Sequence, residues 1–333
     1  MRHVIVGAGA AGLAAAKTIK TTDYDAEVLM IGAERCMPYQ RFRLTDYLCG
    51  AISEEEIFHT SKEFFEEMEI SLRRGHEVDH INPAEHTLEL DNGETIHYDK
   101  LLVSTGRSPV LDATLRPYAR LIHPYYTFDD AVLLRRRLPA LEHVIVSGRG
   151  VSKLDLIHAM RRLGKRVTYI IRGSKVEIPL ANQDICDGVD TLLIEKGVEM
   201  IRDDRPTSIE ATAGGYRVHT EQGRSIDGDV VFASVSFEPN LRCIRDSGIE
   251  AKNGILVDRA MQTSVSDVYG AGDCVEVYHP DLRNYWISYG WPNAIQQGVV
   301  AGRNMVGVHE ECQIHETIAF NLHGGPLAPH WWS

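Results

Sequence analysis

The tightest constraint in this chain is a glycine spacing that occurs once in full and once with its last member replaced. Near the start, His3-Val4-Ile5-Val6 runs into Gly7, Gly9 and Gly12, with Ala14, Ala15 and Ala16 close behind. An apolar strand, a G-x-G-x-x-G turn and a small-residue helix form one unit. The first glycine permits the turn, the second lets backbone approach a phosphate, and the third lets helix and strand touch. At 143–160 the run HVIVSGRGVSKLDLIHAM repeats this grammar with Gly148 and Gly150, but Lys153 stands where the third glycine belongs. The intact copy predicts a site for the ADP moiety of a dinucleotide, and EVLMIGAE supplies the second strand about 20 residues on. Gly32 fills the usual place of the acid that holds the adenosine ribose. Glu34 is therefore the candidate, with a solvated strand-end glutamate as the alternative.

A chain of 333 residues predicts about two domains. Its 44% hydrophobic and 25% charged content is that of a globular protein. No apolar run approaches the roughly 18–20 residues that span a bilayer. Met1-Arg2-His3 leads straight into the strand, which is not the pattern of a signal peptide. A net charge of −12 argues against a nucleic-acid partner, since phosphate contacts need a positive surface, and would suit a partner with a basic patch. The six cysteines include no C-x-x-C, which removes the usual ligand spacing of zinc ribbons and iron–sulfur sites. A reduced, cytoplasmic setting is the expectation.

Two further segments narrow the ligand. YDKLLVSTGRSP (98–109) is an apolar strand ending in Ser104-Thr105-Gly106, and TSVSDVYGAGDCVE (263–276) ends in Gly270-Ala271-Gly272-Asp273. These resemble the A-T-G and A-x-G-D motifs of the pyridine nucleotide–disulfide oxidoreductase superfamily. MPYQRFRL (37–44) and WPNAIQQGVVAG (291–302) resemble its FAD-dependent rubredoxin-reductase and nitrite-reductase-like branch. The resemblance implies an α/β chain with two Rossmann-like, glutathione-reductase-type nucleotide-binding domains, one inserted in the other. The FAD domain would take 1–110 and 236–304, the inserted NAD(P)-like domain 126–235, and a short tail 305–333 would replace the family's C-terminal interface domain. It implies FAD held by Gly7, Gly9, Gly12 and Glu34, with Val78 facing adenine by its backbone. Thr105, Gly106, Gly272 and Asp273 would complete that site, with Asp273 on the ribityl chain. Trp291 opens a helix that would point at the flavin, with core packing as its alternative role.

The second site departs from the pattern twice. Lys153 is too bulky for the close helix–strand contact, so the helix is expected to stand away. Ser236 replaces a glycine that in the family lies near the bound nicotinamide dinucleotide. Against these stands Arg172, which follows Ile171 where an NAD-specific fold carries an acid, with Lys175 close behind. A guanidinium there resembles NADP-selective members, and Arg149, Lys153 and Arg172 would form a basic rim around a shifted phosphate. NADPH is favoured over NADH on this reading. A vestigial site, or one for another nucleotide, and a solvated basic turn both stay open.

The branch also pairs a lysine with a glutamate beside the flavin, and the matching positions are Arg41 and Asp155. An ion pair between them, or a structural salt bridge, is expected. Cys36 and Cys49 flank Phe42, where the single-cysteine members carry their thiol, so disulfide chemistry is not expected. His76-Glu77 and His80 reproduce H-E-x-x-H, but Gly75 and Pro83 bracket a strand rather than the helix a zinc site needs, and no metal is expected. In the tail, Trp331 and Trp332 offer a docking surface or fold back on their own domain. The function implied is electron transfer between a pyridine nucleotide and a rubredoxin- or ferredoxin-like protein. The alternatives are a flavin-bearing subunit of a larger complex and a nucleotide-responsive binding protein.

Overall fold

The computed structural model describes residues 1–58, 60–177, 183–234 and 236–313. In chain order the elements used below begin with β1 (Arg2–Val6), α1 (Ala10–Thr22), β2 (Glu27–Gly32), α2 (Leu44–Leu48), β3 (Ile70–Arg74), β4 (Val78–Asn82) and β5 (Lys100–Val103). There follow α3 (Phe128–Arg137), β6 (His143–Gly148), α4 (Val151–Arg162), β7 (Arg166–Ile170), α5 (Gln183–Glu195), β8 (Glu199–Ile201) and β9 (Val230–Ser234). Near the end come β10 (Val268–Gly270) and α6 (Trp291–Met305).

The chain divides into two compact units. Among the described residues the first comprises Met1–Gln40, 58 and 60–108, and 238–313, and the second comprises Arg41–Ile57 and Pro109–Phe237 apart from the gaps named above. Residues 41–57, which the sequence reading leaves in the first domain, thus go with the second. The cause is apolar packing: Leu48 joins the second unit's core, and the Tyr47 ring lies 5.1 Å from that of Phe128.

Each unit is built on a parallel sheet with one strand order. The first runs β10-β5-β1-β2-β3 and the second β9-β6-β7-β8. Val4-Ile5-Val6 and Val144-Ile145-Val146 are buried in the middle of their sheets, as β-branched runs covered on both faces must be. Gly7 and Gly148 close the two first strands at φ +110° and +121°. A Cβ at Gly7 would stand 2.2 Å from the Ser104 carbonyl oxygen, and one at Gly148 would stand 1.9 Å from that of Ser234. No side chain fits either turn.

The copies part at the third position. A Cβ at Gly12 would meet the Gly7 carbonyl oxygen at 2.0 Å, so α1 rests directly on its strand. In the second unit the Tyr169 hydroxyl, reaching across from β7, donates to the Gly148 carbonyl at 2.9 Å. The carbonyl that meets a helix in one unit meets a phenol in the other. Lys153 is buried in the first turn of α4, only 5% exposed. It therefore does not join a basic rim, contrary to the sequence expectation. Burial alone pulls its ammonium down from 10.5 to about 8.

This depressed value has a definite sign. The buried ammonium costs stability at every pH below about 8, and the cost fades between 8 and 10.5 as the folded form goes neutral before the unfolded one. At about 1.4 kcal/mol per unit, the full cost is on the order of 3 kcal/mol. Lys153→Met is therefore expected to raise the urea midpoint at pH 7, with the gain shrinking from pH 8 to 10.5. Paired urea titrations across that window check it, and a gain that is flat with pH would place the ammonium in water.

Candidate functional site

The first unit gathers the glycine turns at one end of its sheet. Gly9 caps the N-terminus of α1 without any side-chain cap, and a Cβ there would meet nothing within 4 Å. The first-turn amides of α1 thus stand beside open space, the geometry that accepts a phosphate. Gly272, at φ +87°, donates its amide to Gln297 Oε1 at 2.7 Å, and a Cβ on it would press on that of Ala11 at 3.1 Å. Gln297 lies on α6, which crosses α1 so closely that a Cβ at Gly298 would stand 2.2 Å from the Ala11 carbonyl oxygen. Asp273 accepts the Gly290 amide at 3.3 Å, which ties it to the N-cap of the helix that Trp291 opens.

The other expected contacts are held from behind. Thr105 Oγ1 donates to the Asn240 carbonyl at 2.7 Å, Asn240 Nδ2 donates to the Thr105 carbonyl at 2.9 Å, and the Asn240 amide donates to the Gly106 carbonyl at 2.9 Å. Gly106 sits at φ +67° within this clamp. Glu34 is half-buried, and the Tyr39 hydroxyl donates to its Oε2 at 2.8 Å. A glutamate fixed by a buried tyrosine is not a loosely solvated strand end. Val78 opens β4 just past a turn in which the Gly75 and His76 amides donate to the Gly32 carbonyl at 2.8 and 3.2 Å. His80 lies on that strand rather than on a helix. The His76 ring faces Asp91 at 3.2 Å, and Glu77 accepts from Arg242 at 2.7 Å.

These features fit an FAD. Gly7, Gly9 and Gly12 would seat the pyrophosphate on α1, Glu34 the adenosine ribose, and Asp273 the ribityl hydroxyls. When bound, the cofactor supplies the exchange of a hydride for single electrons. Tyr39, Asn240 and Gln297 were not singled out by sequence. Tyr39 and Gln297 stand inside quoted motifs, but their partners come from other segments.

In the second unit, Gly148, Arg149 and Arg172 line a cleft with Asp112, Lys175 and Arg205. Gly150, at φ +95°, caps α4 without a side chain. Arg172 is exposed and ion-paired to Asp112. The expected Arg41–Asp155 pair is not formed. Arg41 donates to the Tyr126 carbonyl and lies 4.2 Å over its ring. Asp155 has no ion-pair partner among the described residues. Burial, reinforced by Asp46, pushes its carboxyl up to about 8, so it holds a proton at neutral pH. Its Oδ1 and the Oγ of Ser152 are buried without hydrogen bonds among the described residues. Neither Cys36 nor Cys49 is disulfide-bonded among the described residues, and burial raises the Cys49 thiol. Trp331 and Trp332 lie outside the described residues, as does most of the 305–333 tail. No helix among the described residues is long and apolar enough to cross a membrane.

Asp273→Ala should remove the ribityl acceptor, at about 1–3 kcal/mol. FAD affinity of the stripped protein, followed by quenching of flavin fluorescence, is expected to fall about tenfold or more. Unchanged affinity would remove Asp273 from the site.

Comparison with known proteins agrees with this geometry. Residues 1–301 match the family described as pyridine nucleotide-disulphide oxidoreductase. The ferredoxin–NAD(+) reductase component of the 3-phenylpropionate/cinnamic acid dioxygenase of Photorhabdus laumondii is 31% identical over 310 residues, covering 92% of this chain and 77% of that protein. The NADH-rubredoxin oxidoreductase of Clostridium acetobutylicum is 29% identical, over 91% of this chain and 74% of its own. Among solved structures, putidaredoxin reductase in its covalent complex with putidaredoxin superposes with a TM-score of 0.87 at 23% identity, over 94% of this chain and 76% of that one. The chain therefore belongs to the pyridine nucleotide-disulphide oxidoreductase family and is one of its FAD-dependent oxidoreductases.

Proposed function

We propose that this chain carries electrons from a reduced nicotinamide dinucleotide, NADPH in preference to NADH, to a rubredoxin- or ferredoxin-like protein. FAD would be held in the first unit and the dinucleotide in the cleft of the second. The observation that carries this reading is the second glycine turn. Gly148 and Gly150 keep the left-handed backbone that a phosphate turn requires, at φ +121° and +95°, although the third glycine is gone. The relatives' names, a ferredoxin–NAD(+) reductase component and an NADH-rubredoxin oxidoreductase, support the direction and the class of partner. NADPH is favoured because Ile171 leaves no acid at the strand end, and Arg172 puts a guanidinium into the cleft.

A second reading has its own observation. Lys153 is buried where a glycine belongs, and that change is compatible with a flavin-bearing electron-transfer subunit whose second cleft no longer takes a dinucleotide. Reduction of a rubredoxin and of a [2Fe–2S] ferredoxin, followed by acceptor absorbance with each nucleotide, separates the two. The reductase reading expects turnover with NADPH, and a charge-assisted contact of about 1.5–3 kcal/mol predicts that Arg172→Ala lowers kcat/KM for NADPH roughly ten- to hundredfold while sparing NADH. No turnover with either nucleotide would favour the subunit reading. A preference for NADH untouched by Arg172→Ala would refute the choice of NADPH.

A further inference from the structure

We infer that Asp112 is a specificity-determining residue of the second cleft, an acid that holds Arg172 and sets how strongly the site prefers a 2′-phosphorylated adenosine. The inference rests on reading that cleft as the dinucleotide site. Strand β7 ends in Ile170 and leads into buried Ile171, so the acid that would receive a ribose 2′-hydroxyl is missing from its usual element. Asp112 brings a carboxylate into the same cleft from the irregular connection before the second unit's sheet.

The two partners are not equally free. Asp112 Oδ1 accepts the Thr114 amide at 2.9 Å, and its carbonyl accepts the Leu115 and Arg116 amides at 2.9 and 3.1 Å, so both backbone and carboxylate are fixed. Its side chain is 19% exposed, against 54% for Arg172. The Thr114 amide, with help from Arg172, holds the carboxyl below the usual aspartate range, so it stays anionic throughout the neutral region. Arg172 is therefore the member that moves, on a flexible stem, and Asp112 is the post it leaves.

This arrangement separates the two nucleotides by charge. A 2′-hydroxyl can donate to Asp112 while the ion pair persists. A 2′-phosphate, with about −1.5 to −2 charge, must take Arg172 from Asp112 and then lie close to the vacated carboxylate. Asp112 thus opposes the preference that Arg172 creates. The other cleft cations do not repeat the device. Lys175 and Arg205 pair with Asp187 and Glu221 at 2.8 and 2.6 Å, and neither acid lines the cleft. Arg149 and Glu177 both line it, but their contact is 3.5 Å and both are more than half exposed.

The test uses the FAD-loaded chain and two fragments that probe only the adenosine end, 2′,5′-ADP and 5′-AMP, with binding measured by calorimetry. Asp112→Asn keeps the acceptor for Thr114 and removes the charge. It is expected to raise the ratio of 2′,5′-ADP to 5′-AMP affinity about tenfold, and Arg172→Ala to lower it. In the double variant the ratio should lie above that of Arg172→Ala alone, because the Asp112 carboxylate repels the 2′-phosphate whether or not the guanidinium is present. A ratio unchanged by Asp112→Asn while both fragments bind overturns the inference and leaves the cleft a nucleotide site. Binding of neither fragment to the native chain overturns the nucleotide reading, and the inference with it.

Discussion

The first unit depends on one contact, the seating of α1 against the carbonyl of Gly7. A single methyl group at Gly12 would come within 2.0 Å of that oxygen, so the helix can lie this close only because the side chain is absent. The rest of the site follows. The close helix presents its uncapped amides beside Gly9, brings Ala11 against Gly272, and lets α6 cross at Gly298 with backbone nearly touching backbone. Gln297 on that helix then fixes the Gly272 amide, and Asp273 follows in the chain. The phosphate turn and the segment carrying the ribityl acid are one packed object.

The second unit shows what happens when that contact is given up. The turn before it survives, because Gly148 is constrained by the Ser234 backbone and not by the helix. The Gly148 carbonyl accepts the Tyr169 hydroxyl instead, which satisfies a half-buried acceptor. Lys153 is buried and Asp155, two positions on along α4, has a buried carboxyl oxygen; both are displaced towards their neutral forms. A helix that carries Lys153 in its first turn and Asp155 in its second has exchanged glycine's close packing for two ionisable side chains.

What was legible in the sequence was whatever the backbone fixes locally. Gly7, Gly106 and Gly272 stand in turns whose left-handed backbone favours glycine, Gly12 lies where a Cβ would strike the Gly7 carbonyl, and Gly9 completes the spacing that marks them. Contacts between distant segments were not legible. Arg41 and Asp155 carry the right charges, but Tyr126 supplies both a carbonyl and a ring to the guanidinium, and no spacing announces that. Lys153 read as a surface cation because its burial is set by the fold around it. Asp112 gave no signal, since it lies in an irregular connection where neither periodicity nor motif marks a residue.

The most direct measurement of the central claim is anaerobic rapid mixing of the FAD-loaded chain with one equivalent of NADPH, then with oxidised rubredoxin. The visible absorbance of the oxidised flavin should bleach in the first step and recover in the second as the rubredoxin is reduced. A flavin that stays oxidised with NADPH, and equally with NADH, would contradict the account and leave the second unit a fold without its ligand.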